Sequence, residues 1–483
     1  MSKRKVLKIT PILIVLNVLI LLFIVGFYTT RLIKYYIAEN GGFGEDEDKT
    51  VILAEEIIKK QSRLDETKGL VYDSDNNIYR YKGEVDDNYI YYSGMIYRII
   101  AIDNEGNIRA VSQNNVTLLY SGLEKGFKDS YVNTWLNKSD KEHSGIYERE
   151  LVNSDELLVD TYTCLDTIDD LTEVTCKENK TDYRISLMSL YDYRSAGGKS
   201  SYLNNGESYS LITNDSKNEN YYVTTDGEIA VSKKSSRISY IRPVITISSG
   251  AELIEGKGTL DEPYIIEKHE IKTLSDVYVG NYVKIDDVLY RVNETNEDKV
   301  RLIMSEVLME KVKETDSETK EEKEVLKPIS MKFGGSDSVY NPNGDTVGSY
   351  LNGTFLNSLS LKDKVIESKW YVGKQALDNL SYTLVYDDSV DAYIGMPTIG
   401  EFYNHEQNNI LTTLRGLESS KLVNVINKEG HLYSDRITSK YYVRPEFYLD
   451  GKVNIKSGNG SLDNPYVLGD SNEKTEERKE TKD

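Results

Sequence analysis

Two stretches of this chain carry the same text. Residues 240–266 read YIRPVITISSGAELIEGKGTLDEPYII, and residues 442–468 read YVRPEFYLDGKVNIKSGNGSLDNPYVL. In each, an aromatic and a β-branched residue precede Arg-Pro, and a strand-like run follows. Fourteen residues after each Arg comes Gly-x-Gly-[Thr/Ser]-Leu-Asp-x-Pro-Tyr. Arg242, Pro243, Gly256, Gly258, Asp261, Pro263 and Tyr264 answer, all at one offset, to Arg444, Pro445, Gly458, Gly460, Asp463, Pro465 and Tyr466. A repeat of this length that occurs twice requires tandem globular domains rather than a solenoid.

Each closing motif has an opening partner. NYIYYSGMIYRII (88–100) matches NYVKIDDVLYRV (281–292), and both read as a β-hairpin turning at Ser93-Gly94 or Asp286-Asp287. Two weaker echoes lie between. Tyr131…Trp135-Leu136-Asn137 answers to Gly348-Ser-Tyr350-Leu351-Asn352, and ISLMSLYDY (185–193) answers to IGMPTIGEF (394–402). The chain therefore reads as one β-rich α+β fold built twice, over 67–268 and 269–469. The second copy carries a charged insertion at 311–327, expected as a solvated loop or helical tip, and 470–483 reads as a disordered acidic tail.

Upstream, residues 9–30 carry no charge across 22 positions, enough to span a bilayer as one helix. Lys3, Arg4, Lys5 and Lys8 in the basic tail 1–8 put that end in the cytoplasm and the bulk of the chain outside. The rival, a cleaved signal peptide, lacks a small-x-small site where one is expected. Residues 31–66 form a stalk containing a helix, either packed on the first domain or self-associating. A net charge of −20 argues against nucleic acid, which needs a basic face. With 38 Tyr against 8 Phe, tyrosine replaces phenylalanine in half-buried strands and leaves hydroxyls near the surface.

Little in the chain points to catalysis. Cys164 and Cys176, an even pair twelve apart in an extracytoplasmic region, read first as a disulfide. The sharper alternative makes Cys164, in Thr-Tyr-Thr-Cys, a sortase-like nucleophile served by His143 and Arg184. The four histidines show no ligand spacing, so no metal is expected, and no cofactor motif occurs. Asp73, Asp75, Asn77 and Glu84 fall at calcium-loop spacing, but Ile78 stands where such a loop needs Gly, and a polar turn accounts for them. The paired glycines (256, 258; 458, 460) with Asp261-x-Pro263 and Asp463-x-Pro465 are turn devices, since no helix follows them. Arg242 and Arg444 either brace their own domains or, with Tyr240, Tyr442, Tyr193 and Trp135, line a ligand cleft.

The run Asn-Tyr-[Ile/Val]…Tyr-Arg-[Ile/Val], then Leu-Asn, Leu-Met-Ser-x-x-[Asp/Glu]-Tyr and [Val/Ile]-Arg-Pro, resembles uncharacterised modules on membrane-anchored or pilin-like surface proteins of Gram-positive bacteria. At a distance the module resembles the C-type-lectin-like fold shared with formylglycine-generating enzymes. The resemblance is better over 70–265 than over 275–468, where Pro397 interrupts the Met-Ser element and Glu446 follows Arg-Pro. It implies two tandem lectin-like domains displayed outside the cell for recognition. The enzymes' catalytic cysteines have no counterpart, so their activity does not carry over. The expectation is a single-pass, non-enzymatic protein that binds a cell-wall, cell-surface or host glycan or protein. The alternative is a structural subunit of an envelope or pilus-like assembly.

Overall fold

The computed structural model describes residues 50–61, 68–74, 76–120, 122–137, 151–172, 175–176, 179–232, 238–315, 321–335, 339–375, 388–398, 410–416, 421–426 and 432–469. The basic tail, the 9–30 span, His143 and the 470–483 tail lie outside those residues. No helix among the described residues is long and apolar enough to cross a membrane.

Strands dominate, and the two copies share one frame. In the first module Tyr89–Tyr92 and Met95–Ile102 form the opening hairpin, followed across the sheet by Ile108–Ser112, Pro243–Ile247 and Ile185–Leu187. In the second, Tyr282–Ile285 and Val288–Thr295 are followed by Lys299–Met304, Glu446–Asp450 and Ile394–Gly395. Registers agree pair by pair. Val244 faces Val111 and Arg98 faces Val111 in one module; Glu446 faces Ile303 and Arg291 faces Ile303 in the other. Both second strands carry a bulge at the same place, Ile99/Ala101 and Val292/Glu294. A repeated bulge is a feature of the fold rather than a local defect.

The repeated side chains explain why the frame recurs. Asn137, just past the helix Tyr131–Leu136, gives Nδ2 to the Ile185 carbonyl (2.8 Å) and takes the Ile185 N–H on Oδ1 (3.0 Å). Asn352 does the same to Ile394, at 3.0 Å in both directions. One amide side chain thus reaches both main-chain groups of a strand residue at the sheet edge, and the Ile394 carbonyl accepts the Tyr340 hydroxyl (2.6 Å) as well. The closing motif ends in a short strand lying parallel to the opening one, Tyr264 beside Ile90 and Tyr466 beside Val283. Gly258 and Gly460 accept from the N–H of Tyr89 and Tyr282, each at 2.8 Å. Gly256 and Gly458 have φ of 101° and 99°, and a Cβ on either would strike the carbonyl of Pro263 or Pro465. Only glycine fits there.

One segment differs from its sequence reading, and for another the structure decides between two alternatives. The 311–327 insertion is a β-ribbon, Met309–Thr315 against Glu322–Pro328, rather than a loop or helical tip. Its alternating charges meet across the strands, Lys313 with Glu322 and Lys327 with Glu314, and Val312 faces Val325. Period-two patterning favours strand over helix. In the stalk, Leu53–Gln61 is a helix that belongs to the first module. Leu53 and Ile57 are fully buried, and the Leu53 N–H bonds the Ala251 carbonyl (3.0 Å) as Leu274 bonds Val453 (2.8 Å).

The modules share one continuous apolar core and meet at a specific junction. Tyr278, at the start of the second, packs edge-on against Tyr91 (6.3 Å between centroids) and covers Gly94, whose missing Cβ makes room for it. Its hydroxyl donates to Glu267 Oε1 (3.0 Å), which also accepts the Ser93 N–H (2.8 Å). His269 stacks on the same tyrosine (4.8 Å). Burial raises the Glu267 pKa above its ordinary 4.5. A carboxyl whose pKa is higher folded than unfolded loses stabilisation as pH rises through those values.

In urea unfolding, Asn137→Ala should destabilise the first module by about 2–4 kcal/mol, two main-chain groups' worth, and Asn352→Ala should cost the second about half of that, since Tyr340 still serves the Ile394 carbonyl. Glu267→Gln keeps both donors satisfied, so thermal unfolding should show the variant more stable than the parent at neutral pH and equal to it below about pH 4.5.

Candidate functional site

The residues that sequence reading offered for a ligand cleft sit inside the protein. Arg242 and Arg444 are 0% and 1% exposed. Arg242 Nε donates to the Ser112 carbonyl (3.0 Å), Nη1 donates to Leu203 (2.8 Å), and the guanidinium lies over the Tyr209 ring (4.6 Å). Arg444 Nε donates to Met304 (2.9 Å), the position matching Ser112. Burial lowers the pKa of both arginines. Tyr193 meets this cluster edge-on through Tyr209 (6.5 Å) and gives its hydroxyl to Gly227 (2.7 Å). Trp135 is fully buried, while Tyr240 and Tyr442 are half-buried on separate strands, Ile238–Ile241 and Lys440–Tyr442. The structure therefore joins Arg242 to Tyr193 as a core brace and assembles no cleft from these six.

Cys164 and Cys176 form a disulfide, with Cα atoms 5.7 Å apart. Arg184 pairs with Asp155 (2.6 Å), and His143 lies outside the described residues. The Asp73 carboxylate takes Asn76 and Arg80 within its own turn (2.9 and 3.4 Å), and Asp75 is outside the described residues. No cluster of metal-ligating side chains occurs among the described residues. Asp261 and Asp463 are exposed, as turn residues, beside half-buried Pro263 and Pro465.

The strongest electrostatic feature is internal too. Asp192, the third residue of the helix Leu190–Ser195, closes a capping box with Ser189 and is fully buried between Arg80 (3.1 Å) and Arg109 (2.8 and 3.2 Å). Burial alone would raise its pKa, but Arg109 and Arg80 outweigh that and hold it at about 2. Arg301, at the position of Arg109, instead meets Glu446 (3.0 Å), which stands where the first module has Val244.

An open cleft of about 680 Å³ lies beside the hairpin turn of the second module. Its walls include the hairpin turn Asp286-Asp287, Lys284, Ser360, Lys456 and Val467. Both turn residues are left-handed (φ 51° and 65°), the geometry of a two-residue hairpin turn, which Asp tolerates. Asp286 Oδ2 accepts the Ser360 N–H (2.7 Å), fixing the turn against the neighbouring loop. Lys284 Nζ lies 2.9 Å from Asp287 and holds that carboxyl below its usual range. The Lys456 side chain lies across Gly469, where a Cβ would collide with it. Val467, 37% exposed, gives the cleft an apolar patch. Two ammonium groups, two carboxylates and an apolar patch suit holding a charged ligand. Sequence reading recognised the turn but not the cleft. The signal was present in the mismatches between the copies, where Lys284 and Asp287 replace Tyr91 and Gly94.

No family model matches the chain, and neither a curated protein nor a solved structure matches it.

Asp192→Asn should cost about 3–5 kcal/mol at neutral pH, because Arg80 and Arg109 lose their buried counter-charge. The parent should lose stability as pH falls from about 4 toward 2, a leg that the variant lacks; urea unfolding across pH reads both.

Proposed function

We propose that this is a single-pass membrane protein that displays two lectin-like modules outside the cytoplasm and binds a cell-surface or cell-wall polymer without catalysis. The observation that carries the reading is how the repeated residues are used. Arg242, Arg444, Asn137, Asn352 and the closing glycines are all consumed in bracing the frame. The largest differences between the copies that reach solvent are the β-ribbon and the charged cleft. A constant scaffold with variable surfaces is the usual layout of a recognition protein. The disulfide supports an oxidising compartment and occupies the sulfur that a cysteine transpeptidase would need as thiolate. The uncharged 9–30 segment supports the anchor. The lectin-like assignment draws on the α+β layout in which each closing strand lies beside its opening strand. A second reading, a subunit of an envelope assembly, is supported by the Tyr278 junction, where the end of the first module packs against the chain entering the second.

Protease added to intact cells should remove everything beyond about residue 30 and leave the basic tail protected. Full-length protein in detergent should bind isolated cell walls saturably. Surface exposure with no wall binding, and co-purification with fixed protein partners, would replace recognition by the assembly reading.

A further inference from the structure

The open cleft is the second module's copy of the junction surface. In the first module the turn residue Ser93 accepts the Val152 N–H on Oγ (2.9 Å), as Asp286 accepts Ser360 in the second. The closing strands sit in one register on both opening strands. Residues 91–94 and 265–267 thus correspond to 284–287 and 467–469. On the first module this surface is covered by the main chain entering the second, with Tyr278 against Tyr91, Gly94 and Glu267. On the second, none of the described residues covers it, and it forms the cleft.

The chemistry of the surface has changed as well as its cover. Lys284 replaces the Tyr91 ring, and Asp287 replaces the glycine that made room for Tyr278. Gly469 replaces Glu267, and the Lys456 chain lies over it, so an ammonium stands near the place of the carboxylate that receives the Tyr278 hydroxyl.

We infer that the cleft binds an extended polypeptide segment of mixed charge, lying as residues 276–281 lie on the first module. An acidic side chain would meet Lys456 and Lys284, and a neighbouring basic one would meet Asp286 and Asp287. A polypeptide is favoured because the matched surface already takes main chain. Mixed charge is favoured because the walls pair two cations with two anions, and opposite charges in register give specificity. The Lys284–Asp287 pair is exposed, so an incoming segment can exchange it at low cost. This inference stands on the internal repeat and is independent of the polymer-binding reading.

The test uses full-length protein in detergent and fluorescein-labelled (Glu-Lys)4, with (Gln-Ser)4 as the uncharged reference, read by anisotropy. The zero net charge of the probe removes general attraction or repulsion by the −20 chain. We expect saturable binding of (Glu-Lys)4 alone, weakened about fivefold to tenfold by Lys456→Glu and by Asp287→Lys, and weakened again by salt. Lys323→Glu on the distant β-ribbon should change nothing. Thermal unfolding checks each variant, and Lys284→Ser repeats the test if Lys456→Glu fails to fold. No binding, equal binding of the uncharged peptide, or binding indifferent to the cleft variants overturns the inference. So does preferential displacement of the probe by an anionic polysaccharide.

Discussion

A guanidinium sealed inside each module is the constraint on which the sheet depends. Burying an arginine is costly unless its N–H groups find partners. Arg242 and Arg444 solve this alike, giving Nε to a carbonyl at the matched position of a neighbouring strand, Ser112 or Met304. That bond holds the Arg-Pro strand against the third strand of the sheet. The proline that follows lacks an N–H, which suits a strand start where no donor is needed. Asn137 and Asn352 fix the sheet's other margin, and the glycine turns bring the closing strand back to the opening one. These few contacts, each made twice, define the frame on which the rest of the chain varies.

Variation is concentrated where the frame permits it. The buried partner of Arg109 is Asp192, on a helix, whereas the partner of Arg301 is Glu446, on the Arg-Pro strand itself. One buried cation is kept and its counter-charge comes from different elements, so the modules diverge without leaving a charge unpaired. At the end surfaces the divergence goes further. The first module's end receives Tyr278 through a carboxylate, and the second presents ammonium groups and an open cleft. A junction surface turned outward is a natural starting point for binding, because its backbone shape already fits an extended chain.

Much of the frame was legible in the text because it is made of local pattern and repetition. The hairpins at Ser93-Gly94 and Asp286-Asp287 and the turn role of the paired glycines all follow from short-range chemistry. The 311–327 ribbon was misread because its charge run hid a period of two. The roles of Arg242, Arg444, Tyr193 and Trp135 were not legible, since an arginine or tyrosine beside a strand is written identically whether it faces solvent or core. Burial is a property of what packs over a residue, and the partners lie far along the chain, from Tyr209 beside Tyr193 to Met304, 140 positions from Arg444.

By itself, then, the sequence determined that one β-rich α+β unit is built twice, where each unit opens and closes, and which glycines its turns require. Those features depend on backbone conformation and on pattern within a few residues. Tertiary structure alone decided that the recurrent arginines brace the interior, that helix Leu53–Gln61 completes the first module, and that one end surface is covered by Tyr278 while no described residue covers its copy. Each of these is a long-range contact, set by which distant strands share an edge and which side chains fill the space between them.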